Sequence, residues 1–264
     1  MFVPLHHLML TIVAVSLVHA AVLPQNVTNS TSATVTVNLG YVVQSATTVV
    51  ASNGTSFLNF SNVRYAAAPT GRARFAPPSS PAPTPVPNYT EADIPPTDPR
   101  TSEDCLFLDV LVPKDTFQKG AKAKAAVLVY IHGGGYFKGH KSDFGDGLGL
   151  VTTSKAKGGP GGTSNAGLLD QRFALQWVKK YIGLFGGDPN RITVMGESAG
   201  AGSIMAHTVS NGGAPFDQGM TQSPYLVEMN AATQEETYQA VLNSTGTKSL
   251  STLLAMKTPR LHSS

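Results

Sequence analysis

The pentad Gly196-Glu197-Ser198-Ala199-Gly200 places one serine between two glycines. A serine hydroxyl attacks a carbonyl when a tight turn presents it and a base removes its proton. The run before it, Ile192-Thr193-Val194-Met195, is β-type, and the run after it, Ala201 to Val209, is small-residue and helix-compatible. Strand, sharp turn and helix are the context of a nucleophile elbow. Such a turn forces strained backbone on the serine, so the positions around it must be glycine or nearly as small. The helix that follows aims its positive end at the hydroxyl.

A second stretch supplies the complementary chemistry. Ala125-Ala126-Val127-Leu128-Val129-Tyr130-Ile131 is continuously apolar, as a buried parallel strand is, and it runs into His132-Gly133-Gly134-Gly135-Tyr136. Acyl transfer builds negative charge on a carbonyl oxygen, and backbone N–H groups must approach it closely. Glycines permit that approach. Either motif alone is compatible with an ordinary Gly-rich turn; strand, HGGG, strand and elbow in this order favour the catalytic reading.

Four further stretches join these: Phe60-Ser61-Asn62-Val63-Arg64-Tyr65-Ala66 with Arg74-Phe75, Ser102 to Val110, Asn165 to Gln171, and Phe185-Gly186-Gly187-Asp188-Pro189. On these residues the chain resembles the type-B carboxylesterase/lipase family, the cholinesterase-like branch of the α/β-hydrolases, over its N-terminal half. The resemblance implies an α/β fold: a mostly parallel sheet with helices on both faces, here incomplete, with one inner strand and the C-terminal half absent. It implies that Ser198 is the nucleophile. It also implies that Gly134, Gly135 and the N–H of Ala199 form the oxyanion hole, and that Glu197 lines the acyl or leaving-group side. The implied substrate is a small-molecule carboxylic ester or lipid, with no metal and no cofactor.

The elements that must position these groups are readable from pattern. Leu106 to Val112 is a strand, and Val35 to Val43 alternates like a half-buried one. A third short strand is expected at Phe57 to Phe60. Leu168 to Ile182 is an amphipathic helix with Leu169, Phe173, Leu175, Trp177 and Ile182 as core candidates. Met205 and Val209 are expected to face the sheet. Ala231 to Leu242 and Ser249 to Met256 are further helices. Pro77 to Pro99 is too proline-rich for helix or inner strand. The resemblance places a long loop with a second cysteine there, a core strand near Gly161, and an Arg partner for Asp170; none of these is present. It also pairs Glu103 with Arg74. The strand at 125–131 is therefore expected to have an open edge. Cys105, the one cysteine in the sequence, is expected to be a buried free thiol.

Composition sets the limits. The 264 residues are 13 % charged with a net charge of +3 and no basic block, which argues against a nucleic-acid partner. Residues 1–20 look like a secretory signal: the apolar run Leu8 to Val18 is too short to span a bilayer, and Val18 and Ala20 suit a cleavage site. Residues 21–264 are then a partial α/β-hydrolase domain. Sequons at Asn26, Asn29, Asn53, Asn59, Asn88 and Asn243 fit a secreted, extracellular glycoprotein. No later stretch reads as transmembrane.

The mechanism lacks parts. A hydrolase of this type needs a serine, a histidine that shuttles its proton and a carboxylate that holds the histidine. Beyond Ser198 the sequence offers His207 and His262 as bases, and Asp217, Glu228, Glu235 and Glu236 as acids. His207 lies nine residues along the same expected helix, ~13 Å away at helical rise, and cannot serve. Three readings stay open: a feeble esterase, a non-catalytic secreted binding module, and an incomplete chain with no independent function.

Overall fold

The computed structural model describes residues 10–14 (as backbone), 34–51, 54–83, 104–136, 165–226 and 230–256. In chain order the elements are β1 (Leu10–Ala14), β2 (Thr36–Asn38), β3 (Val43–Ser45), β4 (Thr47–Val50), β5 (Ser56–Arg64), β6 (Phe107–Pro113), α1 (Lys114–Lys119), β7 (Ala125–Ile131), α2 (Ala166–Tyr181), β8 (Gly187–Glu197), α3 (Ala199–Val209), β9 (Gln218–Gln222), α4 (Ala231–Thr245) and α5 (Leu250–Ala255). β2 and β3 form a separate hairpin. The other strands form one sheet in the order β4-β5-β6-β1-β7-β8-β9. β7, β8 and β9 run parallel; β4, β5 and β6 are antiparallel neighbours.

The sheet follows from residue type. β7 and β8 are rich in β-branched residues, and Val127, Val129, Ile131, Ile192 and Val194 are all buried. In β6, Leu108, Val110 and Val112 are buried while Asp109 and Leu111 between them are half-exposed, the alternation of a strand packed on one side. α2 covers this face with Ala174, Leu175, Trp177 and Val178, and Ile182 and Phe185 continue its seam. Phe185 stands edge-on to Phe60 at 5.0 Å. Of the expected helix core, Leu175, Trp177 and Ile182 are buried, and Leu169 and Phe173 are half-buried at its margin.

Two expectations change. Residues 125–131 do not have an open edge. β1 lies between β6 and β7, parallel to β6 from Leu10↔Leu108 to Val13↔Leu111 and antiparallel to β7 from Leu10↔Ile131 to Ala14↔Val127. A strand that would otherwise expose unpaired N–H and C=O groups takes the apolar segment that can pair with it. Second, Met205 and Val209 do not face the sheet. They are 41 % and 85 % exposed, whereas Ala201 and Ile204 are buried; the helix is rotated about one residue from the expected phase. Arg74 Nη1 donates to the C-terminal carbonyls of α5, at Leu253, Leu254 and Met256 O, at 3.2, 3.2 and 2.8 Å. Cations at a helix C-terminus satisfy carbonyls that have no partner in the helix. Glu103 lies outside the described residues, and the ion pair seen at this corner is Arg64–Asp104, bidentate at 2.7 and 2.6 Å. Cys105 is a buried free thiol. The tract near Gly161, where the family's core strand is expected to be missing, and most of the Pro-rich tract lie outside the described residues, and no described helix is long and apolar enough to cross a membrane.

Asp170 sits on α2 among the described residues with no hydrogen bond and no ion pair, near the fully buried and likewise unpartnered Tyr65 hydroxyl. Burial lifts its carboxyl from the ordinary 3.8 to about 7. The fold therefore prefers the protonated acid. This contribution is full below the unfolded value near pH 4, fades as pH rises, and is lost above pH 7. Asp170→Asn is expected to be more stable than the wild type by on the order of 3 kcal/mol at pH 8 and equal to it at pH 4. Urea titrations at both pH values check this, and a pH-independent difference would sink the assignment. A second variant tests β1. The chain beginning at residue 21 loses four pairings with β6 and five with β7. It is expected to aggregate or to melt well below the full chain; equal solubility and melting would show that β1 is dispensable.

Candidate active site

β8 ends at Glu197 and α3 begins at Ala199, so Ser198 is the single residue of the turn between them. Its φ and ψ are 53° and −118°, a region that costs a non-glycine residue about 1–3 kcal/mol. The strain is held by backbone bonds on both sides. Ser198 N donates to Gln222 O at 3.0 Å, and Ser198 O accepts from Gly202 N and Tyr225 N, each at 3.0 Å. The small residues around it are required by contact. A Cβ on Gly200 would stand 2.1 Å from Ile131 O and 2.5 Å from His132 O. The first turn of α3 thus lies directly on the end of β7.

The HGGG loop meets this turn. A Cβ on Gly133 would stand 2.8 Å from Glu197 Oε2 and 3.1 Å from Ser198 Cβ. The chain then turns through Gly134 at φ 106°, Gly135 at 64° and Tyr136 at 64°. Among the described residues the N–H groups of Gly134 and Gly135 make no hydrogen bond. Ala199 N–H, at the first position of α3, has no intrahelical acceptor. Tyr136 Oη donates to Tyr225 O at 2.8 Å and the two rings stack at 6.5 Å, which ties the loop to the segment after β9. The sequence did not single out Tyr136, Gln222 or Tyr225, and only their adjacency to the motifs pointed to them. Glu197 stands by the loop, and its charge adds to burial in raising the Tyr130 hydroxyl.

A buried polar chain braces the elbow from α2. His207 Nε2 lies 3.0 Å from Gln171 Oε1 and donates to it, Gln171 Nε2 donates to Ser203 Oγ at 3.0 Å, and Ser203 Oγ donates to Ala199 O at 2.9 Å. Burial, then the Arg172 charge, lowers His207 to about 4. It is a neutral structural histidine committed to Gln171. Asp217 is committed too: Oδ2 accepts from Ile192 N at 2.8 Å and Oδ1 lies 3.6 Å from Lys179 Nζ. Glu235 and Glu236 are exposed on α4. Glu228 and His262 lie outside the described residues. Among the described residues Ser198 Oγ has no hydrogen-bond partner. A cavity of about 430 Å³ bounded by Leu39, Tyr41, Tyr65, Trp177 and Tyr181 shares no residue with the elbow. Among the described residues no cluster of His, Cys, Asp or Glu could hold a metal.

Comparison with known proteins places this geometry. The carboxylesterase family model matches residues 31–157 and 147–257, in two overlapping pieces. The carboxylesterase patB of Aspergillus clavatus is 37% identical over 268 residues, covering 71% of this chain and 48% of that protein. That span is longer than the part of this chain within it, so the relative carries residues there with no counterpart here. A secreted lipase of Arthroderma benhamiae is 33% identical, covering 58% of this chain and 35% of that protein. The crystal structure of Aspergillus niger EstA superposes with a TM-score of 0.69 at 29% identity, covering 88% of this chain and 50% of that one. The chain spans about half the length of the relatives it matches. With strand, HGGG loop, strand and elbow assembled in one α/β sheet and the family match running across them, the chain belongs to the carboxylesterase family.

Proposed function

We propose that Ser198 is the nucleophile of a carboxylic-ester hydrolase. Gly134, Gly135 and Ala199 N–H groups receive the oxyanion, and Glu197 lines the acyl or leaving-group side. The observation that carries this reading is the strained Ser198 turn in contact with the HGGG loop, at 3.1 Å from the Gly133 Cβ position. In such a step Ser198 Oγ bonds to the ester carbonyl carbon, the carbonyl oxygen takes the negative charge, and the alcohol leaves with a proton. The substrate is a small carboxylic ester or a lipid; no nucleic acid and no cofactor enter.

Among the described residues the candidate base beyond Ser198 is His207, and it is committed to Gln171. Without a histidine to take the Ser198 proton, activity falls by ~10⁴ to 10⁶, while an oxyanion hole alone retains ~10³ over water. On this reading the chain carries the nucleophile and the oxyanion groups, and it spans about half the length of the relatives it matches. The unpartnered Ser198 Oγ favours a second reading, a secreted member that binds without hydrolysing. An extracellular location is proposed on the signal-like N-terminus, the sequons and the secreted relative. Removal of residues 1–20 would also remove β1.

Two measurements test the proposal. A fluorophosphonate ester is expected to label the chain slowly, and Ser198→Ala is expected to abolish the label; labelling that survives the substitution, or none after prolonged exposure, favours the non-catalytic reading. Gly200→Ala must push α3 off β7, at a cost of about 3 kcal/mol or more. It is expected to lower the unfolding midpoint and to end labelling; a stable, labelled variant would overturn the elbow geometry.

A further inference from the structure

Phe173, Gln176, Trp177, Lys180 and Tyr181 recur on α2 at i, i+3, i+4, i+7 and i+8, the spacing of one helix face. They form one wall of the cavity of about 430 Å³ that lies apart from the elbow. Leu39, Gly40 and Tyr41, in the turn between β2 and β3, form a second wall. Tyr65, Ser80 and Pro81 complete it. Small-molecule sites occupy ~300–1,000 Å³ and combine apolar walls with a few polar groups.

The rings are held by contacts that also use up their polar atoms. Trp177 Nε1 donates to Tyr41 Oη at 2.9 Å, and Tyr41 Oη donates to Arg64 O. Tyr41 and Tyr181 meet edge to face at 6.0 Å, and Trp177 and Tyr181 lie at 5.2 Å. With the indole N–H and the Tyr41 hydroxyl engaged, these walls offer a ligand ring surface rather than donors. Tyr41, Phe173 and Tyr181 are only half-buried. Exposed polarity comes from Ser80, Gln176 and Lys180. Lys180 Nζ stands 4.9 Å from the centre of the Tyr181 ring. Among the described residues Lys180 makes no ion pair, and no carboxylate lines the cavity. Asp170, whose charge reaches Tyr65, is not part of the lining.

We propose that this cavity binds a monocarboxylic acid carrying one aromatic ring. The ring lies among Tyr41, Phe173, Trp177 and Tyr181, and the carboxylate meets the Lys180 ammonium at the rim. One uncompensated cation beside apolar walls selects an anion over a neutral or cationic molecule of the same shape. An aromatic ring fills such walls through offset and edge contacts that an alkyl chain does not make. The cavity shares no residue with the HGGG loop or the elbow, so its occupancy does not depend on Ser198 being a nucleophile.

Trp177 is the sole tryptophan of the sequence and part of the wall, so its fluorescence reports occupancy. The full chain is titrated with 3-phenylpropanoate, 3-phenylpropanol and 3-phenylpropylamine, excited at the red edge of indole absorption, where all three are transparent. Saturation-transfer NMR of each ligand reads the same event without the tryptophan. The acid is expected to bind with a dissociation constant of about 1 mM or below, and about ten-fold tighter than the alcohol or the amine. Lys180→Met keeps the apolar stem and removes the charge. It is expected to weaken the acid about ten-fold, to the level of the alcohol, and to leave the alcohol unchanged. Lys180 is exposed, so circular dichroism of this variant is expected to match the wild type. Tyr181→Leu is expected to weaken acid and alcohol alike, by about three-fold or more. Equal affinity for the three ligands, or acid binding indifferent to Lys180→Met, would overturn the carboxylate assignment. No binding by either readout, or binding undiminished in Tyr181→Leu, would show the cavity to be a hydrated gap rather than a site.

Discussion

The site depends on one backbone contact: the first turn of α3 resting on the carbonyl end of β7. Gly200 has no Cβ, and the space a Cβ would take is filled by Ile131 O and His132 O. That contact fixes where β8 must turn, and hence which residue stands in the turn. It also fixes where the chain leaving β7 can go. The HGGG loop has to pass beside Glu197 and Ser198, because β7 and β8 are paired in register to Ile131↔Gly196. Ser198 and the glycines of the HGGG loop are therefore placed by the same two neighbouring strand ends.

The polar groups around this contact divide sharply by whether they are satisfied. The chain His207, Gln171, Ser203 and Ala199 O is closed and neutral, so a buried histidine costs little while pH stays above its lowered value. Among the described residues Asp170 and the Tyr65 hydroxyl have no partner, and burial raises the Asp170 carboxyl to about 7.

Much of this was legible in the sequence because glycines at close backbone contacts leave a pattern. Gly133, Gly196 and Gly200 fall where a Cβ would clash, and the continuous apolar runs marked β7 and β8 as inner strands. The helix phase of α3 was not legible: Ala201, Ile204, Met205 and Val209 are all apolar, and only the Gly200 contact decides which of them faces the sheet. Tyr136 and Tyr225 were invisible, since a bond between a side chain and a carbonyl 89 residues away has no local signal. The pairing of β1 was equally hidden. A short apolar run reads the same whether it ends in a sheet or in an export pathway.

β1 and β9 express one physical constraint from opposite sides. A strand with one unpaired edge in a dry interior leaves a row of donors and acceptors unsatisfied. Between β6 and β7 the deficit is met from within, by an N-terminal segment that pairs parallel on one side and antiparallel on the other. At β9 no segment of the described chain meets the deficit, and the row stays open beside Ser198. Among the described residues the deficit is thus met between β6 and β7 and left unmet at β9, next to the elbow.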